Sequence, residues 1–249
     1  MSGTIYILWL RQIKRYLRSK ARIIGSLGQP LLFLIALGFG FGPIYAKAGG
    51  GDYIQFLGPG VIAMAIIFTA MFTGIEIIWD RQFGFLKETL VAPVSRFEIM
   101  IGRTLGGATV AMCQGIIVFV IAYIAGFRPA SFLGVPLALL FMFLIALLFT
   151  SLGTAIACRM EDMQAFPLIM NFIMMPMFFL SGSLFPLNNL SGGIKIATAI
   201  DPLSYGVDGL RSALTNYSHF GIGVDLIVLG TATMFFIVLG SYLFSKIEV

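Results

Sequence analysis

Residues 57–79 read LGPGVIAMAIIFTAMFTGIEIIW, and this stretch decides the fold. Its one ionisable side chain, Glu76, stands near the end. The hydrocarbon core of a bilayer is about 30 Å thick, which a helix crosses in about 20 apolar residues. Five more runs of this kind, approximately 23–43, 104–126, 135–158, 164–185 and 224–245, bring the expected spans to six. Of 249 residues, 59% are hydrophobic and 11% charged, with a mean hydropathy of +0.98. A water-soluble domain carries roughly 25% charged residues, so most of this surface meets something other than water. The expected fold class is all-α integral membrane, a single domain over 1–249 without a linker or internal repeat.

With an even number of spans the two ends share a side. That side holds Arg11, Lys14, Arg15, Arg18, Lys20, Arg22, Arg81, Lys87, Arg96, Arg103, Arg159 and Lys246, against Lys47, Arg128, Lys195 and Arg211 on the other. Lys and Arg accumulate in cytosolic loops. Both termini and the 80–103 connection are therefore expected in the cytosol, in a multi-pass protein of the cytoplasmic membrane. The net charge of +5 reflects this placement and does not point to nucleic acid. Ala46-Lys47-Ala48 looks like a signal cleavage site, but the preceding run is too long and more spans follow, so it is read as a retained helix.

Residues 4–22 place Arg11, Lys14, Arg15, Arg18 and Arg22 on one helical face, opposite Ile5, Trp9, Ile13, Tyr16 and Leu17. This is the pattern of a helix lying in the interface, apolar side in membrane lipid and basic side toward headgroups. Trp9 and Tyr16 suit that depth. The basic face either touches a cytosolic partner or simply sets the topology.

The cores of the six runs hold no ionisable residue; Glu76 and Asp225 sit near span ends, within reach of the interface. Proton-coupled carriers keep such a group at mid-membrane, although sodium coupling through backbone carbonyls stays open. The single histidine, His219, rules out an HExxH zinc site, and GxxxxGK[ST] and GxSxG are both missing. Cys113 and Cys158 lie in apolar runs without a partner at metal-ligand spacing. No catalytic, cofactor or metal residue is assigned. Uphill transport would need energy from another polypeptide.

The largest cytosolic connection reads DRQFGFLKETLVAPVSR (80–96). Phe83, Leu86 and Leu90 share a helical stripe, and Pro93 stops the helix near Ala92. A short helix held between two spans can plug into a groove on a partner; the plainer alternative dips Phe83 and Phe85 into lipid. Residues 186–223 are too polar to span and are cut by Pro186, Gly192, Gly193, Pro202, Gly206 and Gly209. They form either short helices dipping back into the membrane or a solvated loop. Asp201 before Pro202 starts a helix, and Asp208 and Arg211, three apart, are placed to pair. Gly102 and Gly106 allow close helix approach. Asn171 either lines a path or bonds a neighbouring helix. The glycosylation patterns at Asn189 and Asn216 are assigned no role.

FGFLKETLVAPVSR (83–96) followed by IGRTLGG (101–107), with FLGPGVIAM (56–64), FFLSGSLFPLNNL (178–190) and DPLSYGVDGLR (201–211), resembles the membrane subunit of type-2 ABC exporters over essentially the whole chain. The resemblance implies a homodimer or paired paralogous permeases above two cytosolic ABC ATPase subunits, which bind ATP and Mg. It makes residues 80–92 the coupling helix that docks on the ATPase, with Arg81, Phe83, Phe85, Leu86, Lys87 and Glu88. It makes 4–22 an interfacial elbow helix, with Trp9, Arg11, Arg15 and Arg18, and 186–223 an outer re-entrant segment. Asn171, Asp201, Pro202, Tyr205, Asp208 and Arg211 are the candidate outer gate or pathway. The function implied is export of an amphiphile, a hydrophobic drug or a lipid, with a lipid-linked polysaccharide as the alternative cargo. An ATP-independent carrier or channel is the reading from another class.

Overall fold

A computed structural model describes residues 2–47, 51–91, 93–187 and 192–247. Every regular element in them is helical: α1 (Ser2–Arg18), α2 (Lys20–Lys47), α3 (Tyr53–Phe72), α4 (Ile75–Gln82), α5 (Phe85–Val91), α6 (Arg96–Ile124), a 3-10 turn (Phe132–Gly134), α7 (Val135–Ala157), α8 (Ala165–Leu180), α9 (Gly192–Ile200), α10 (Pro202–Thr215) and α11 (Ile222–Ser245). Five helical stretches are long and apolar enough to cross a membrane: Lys20–Lys47, Tyr53–Gln82, Arg96–Ile124, Phe132–Ala157 and Ile222–Ser245. The run expected over 164–185 is helical only over Ala165–Leu180. Its 16 residues reach about 24 Å, short of a full hydrocarbon core. It stops because Ser181 caps it and Gly182 turns the chain at φ +74°.

The α3–α4 rod is the central pillar, with α2, α6, α7 and α10 packed around α3. Its regular hydrogen-bond pattern is interrupted at Thr73–Gly74, where it crosses α7 in backbone contact. A Cβ on Gly74 would lie 2.4 Å from the Gly153 carbonyl oxygen, and one on Gly153 would lie 2.6 Å from that of Met71. Neither position has room for a side chain. By contrast α2 and α11 are peripheral, and Leu32, Ile35 and Phe39 of α2 with Ile227, Phe235 and Val238 of α11 are exposed on the chain's surface.

Local chemistry sets the helix starts. Asp52 caps α3 and Asp201 caps α10, with Pro202 in its first turn as the sequence suggests. Ser95 and Glu98 form a reciprocal capping box at the start of α6. Asn216 closes α10 in the left-handed conformation, φ 59°.

Three boundaries differ from those read in the sequence. The single helix expected over 80–92 is two pieces, because α4 carries on to Gln82 and Gly84, at φ +77°, turns the chain before α5; Ala92 lies outside the described residues. The 4–22 segment breaks at Ser19, so its last residues start α2. The 186–223 segment contains two helices, α9 and α10, while 188–191, including the Asn189 pattern, is outside the described residues.

Most of the apolar face of α1 meets protein, where lipid was expected; Leu17 stays exposed. Leu8 and Tyr16 are buried. The Trp9 indole N–H donates to Thr109 Oγ1 at 3.0 Å, and the Tyr16 hydroxyl donates to Gln114 Oε1 at 2.5 Å. The Gly102/Gly106 spacing makes this possible. A Cβ on Gly102 would stand 3.0 Å from Leu8 Cβ, and one on Gly106 would stand 2.7 Å from Gln12 Cβ. The small-residue pair is the seat of α1 on α6.

Candidate functional site

On the side of the molecule that carries α1, two rungs of charge join α1 to the span ends. In α4, Glu76 and Asp80 are four residues apart and face the same way; in α1, so do Arg11 and Arg15. Running in opposite directions, the helices match: Arg11 Nη2 reaches Asp80 Oδ1 at 3.1 Å, and Arg15 Nη1 reaches Glu76 Oε2 at 3.5 Å. Each carboxylate also takes a second arginine, Arg103 of α6 on Asp80 and Arg22 of α2 on Glu76 at 2.9 Å. Glu76, Asp80 and Arg103 are all buried. Glu76 stands near the end of its span, as read in the sequence, but is buried against α1 and α2 and persists there because it is paired.

The connection after this ladder is tied to three helices. The Arg11 guanidinium lies 4.6 Å from the Phe85 ring centre, joining α5 to α1. Arg81 donates to the Cys158 and Met160 carbonyls at the end of α7, and Arg96 donates to the Ser245 and Ile247 carbonyls at the end of α11. Helix C-termini present unpaired carbonyls and partial negative charge, so each arginine completes a helix end. Leu86 is fully buried and anchors α5, whereas Phe83, 77% exposed, Phe85, Lys87 and Glu88 form the outward tip. Among the predicted docking residues, then, Arg81 and Leu86 point inward. The elbow residues divide too: Trp9 packs on α6, Arg11 and Arg15 hold the ladder, and Arg18 is exposed.

The opposite end gathers most of the predicted outer residues. Arg211 is buried and donates to the Gly182 carbonyl at 2.8 Å and to that of Phe56, with the Phe56 ring centre 4.1 Å from its guanidinium. It thereby fastens α10 to α3 and to the turn after α8. Asp208 accepts from the His219 and Phe220 N–H groups and the Ser218 hydroxyl. The Asp208–Arg211 pair expected from their spacing is not formed, because each side chain turns to backbone groups elsewhere. The Tyr205 hydroxyl donates to the Ala199 carbonyl at 2.9 Å, and its ring stacks on Phe220. Burial pushes the Asp201 carboxyl up to about 7, against the pull of the hydrogen bond from the Leu203 N–H. Asn171 stands apart, on the exposed side of α8. Asp225 was expected to reach the interface; it is instead fully buried, and its carboxylate oxygens have no hydrogen-bond partner among the described residues.

A tip wired to several spans at one end, and short helices locked across a span at the other, accord with the match of residues 4–215 to the family model of the ABC-2 type transporter. The chain belongs to the ABC-2 type transporter family. Curated relatives of this ABC-2 chain include the transport permease ycf38 of Cyanophora paradoxa, 26% identical over 98% of this chain and 88% of its own length. Another is Nodulation protein J of Rhizobium meliloti (strain 1021), 28% identical over 83% of this chain and 79% of its own. Nodulation protein J of Rhizobium leguminosarum bv. trifolii is 28% identical over 85% and 79%. Membership makes the chain an integral, multi-pass membrane permease of a kind that associates with an ABC ATPase subunit.

The ladder was the feature that sequence reading missed. Its signal was present as equal four-residue spacings, Glu76–Asp80 and Arg11–Arg15, but nothing in the chain order says that two helices so far apart will lie side by side.

Proposed function

We propose that this chain is the permease subunit of an ATP-driven exporter of an amphiphilic substrate, a hydrophobic drug or lipid, energised by a separate ATPase that binds ATP and Mg. The observation that carries the reading is the exposed tip of Phe83, Phe85, Lys87 and Glu88 on a connection bonded to α1, α7 and α11 at once. A cytosolic ATPase seated on this tip would move three helices together, and a single loop–partner contact would reach across the bundle. The exposed apolar faces of α2 and α8 support a second permease copy alongside, with the transport route between the two. α9 and α10, held by Arg211, would form the outer, re-entrant gate. The basic bias of the α1 side supports a cytosolic placement of both termini in the cytoplasmic membrane.

The test is co-purification. Phe83→Asp with Phe85→Asp should strip the ATPase from the permease and abolish ATP-dependent export while the permease keeps its thermal midpoint. Uphill pumping by a preparation free of ATPase would overturn the proposal, as would labelling of the Arg81–Arg103 connection by an impermeant reagent applied outside the cell.

A further inference from the structure

α2 and α3 meet closely at the end far from α1 and part as they approach it. A Cβ on Gly38 would stand 3.3 Å from Ile54 Cγ1, and the Tyr45 and Tyr53 ring centres lie 4.9 Å apart. Toward α1 the two spans leave a crevice of about 370 Å³. Arg22, Gly25, Ser26 and Gln29 line it from α2, at the three- and four-residue spacings of one helical face. Met64, Phe68, Thr69 and Phe72 form the α3 wall, and Tyr16 of α1 completes the lining.

The polar groups of this crevice are open to a ligand. Gln29 lies about 13 Å along the α2 axis from Lys20, at about 1.5 Å per residue, and so at hydrocarbon depth. Its amide and the Thr69 hydroxyl have no hydrogen-bond partner among the described residues. Pro30 has no N–H to give the Ser26 carbonyl. The Tyr16 hydroxyl donates to Gln114 and can still accept. Polar groups left unmatched at this depth cost free energy, so a hydrocarbon chain alone is a poor occupant. Charge is not what they ask for, because Arg22 is already held by Glu76 at 2.9 Å. The matching head is uncharged and both donates and accepts, and the matching body is apolar, against Phe68, Phe72 and Pro30.

We infer that this crevice binds the cargo of the permease, and that the cargo is an amphiphile with an uncharged head bearing hydroxyl or amide groups. The head bonds Gln29, Thr69 and Tyr16, and the apolar body lies between α2 and α3. The inference rests on the exporter reading above and narrows its substrate class. No lining residue belongs to α5, so cargo and ATPase use separate surfaces.

The experiment uses the intact transporter, this chain with its ATPase, in phosphatidylcholine nanodiscs. Three photoactivatable probes of one chain length are compared: an alkyl glucoside, an alkyl phosphate and an alkyl trimethylammonium. Without ATP, the glucoside should label peptides of α2 and α3 on the order of tenfold more than either charged probe. Gln29→Leu with Thr69→Val removes two hydrogen bonds at nearly constant shape and should cut that labelling on the order of tenfold. Gln29→Asn with Thr69→Ser keeps the polar groups and should preserve it. Gly25→Phe should abolish it by filling the crevice, since a Cβ there meets nothing within 4 Å and the fold has room for the ring. Equal labelling by all three probes overturns the inference, because any membrane lipid would then fill the crevice. So does labelling indifferent to the Leu/Val variant. Adding ATP separates the inference from the reading beneath it. Unchanged export of the glucoside by Gly25→Phe would put the crevice off the cargo route and overturn the inference alone. Labelling that responds to both variants, without ATP-driven export by the wild type, would overturn the exporter reading and leave the neutral-amphiphile site standing.

Discussion

Replacing Asp80 by Asn keeps the shape of the side chain and removes its charge. The consequence falls on Arg103, whose side chain is 5% exposed and whose Nε and Nη1 have no other hydrogen-bond partner among the described residues. Two unit charges about 4 Å apart at an effective dielectric of about 20 attract by about 4 kcal/mol. Removing one partner of a buried pair costs about 3–5 kcal/mol, because the other charge is left without compensation. Arg11, with 34% of its side chain exposed, is screened by solvent and adds only about 0.5 kcal/mol. The total is about 4 kcal/mol, which for a chain of this size lowers the thermal midpoint by about 10 °C. The assay is the midpoint of the detergent-solubilised protein by fluorescence-detected size exclusion, for Asp80→Asn, Arg103→Met and the double variant. Because Arg103→Met takes away the charge that Asp80→Asn leaves uncompensated, the double variant should recover most of the loss. A drop below about 3 °C for Asp80→Asn, or a double variant no better than the singles, would refute the argument that this pair is buried and mutually dependent.

Gly106→Val should loosen α1 from α6, since even its Cβ would stand 2.7 Å from Gln12 Cβ and Cγ; overpacking of this kind costs about 1–3 kcal/mol, read as a lowered midpoint and as faster proteolysis near Ser19. Arg211→Lys should cost about 2 kcal/mol, because an ammonium replaces the guanidinium fork that reaches two carbonyls and the Phe56 ring; an unchanged midpoint would count against Arg211 as the fastening of α10. Stability should also fall as pH rises through the window between the unfolded Asp201 carboxyl, at 3.8, and the folded one, at about 7, because the folded chain holds the extra proton there. Asp201→Asn keeps the cap on α10 and should flatten this dependence; equal wild-type midpoints at about pH 5 and about pH 8 would contradict it.

Residues 57–79 announce a membrane helix because the evidence is local: twenty-odd apolar side chains in a row have one inexpensive environment. The same locality made the Asp201 start of α10 and the amphipathic α1 readable, for a cap and a helical face are set by neighbours within a few positions. The sequence by itself therefore determined the all-helical membrane class and five of the six spans read from it, whereas the sixth, 164–185, forms only the shorter helix Ala165–Leu180. What covers each face is another matter. The apolar side of α1 has the composition for lipid and found the glycines of α6, nearly a hundred residues away. Asp208 and Arg211 have the spacing to pair, yet backbone groups brought close by packing took both. The ladder of Arg11, Arg15, Glu76 and Asp80, the arginines that finish α7 and α11, and the crevice between α2 and α3 were decided only by tertiary structure, because a buried charge is tolerable only beside its partner and packing alone chooses which helices meet.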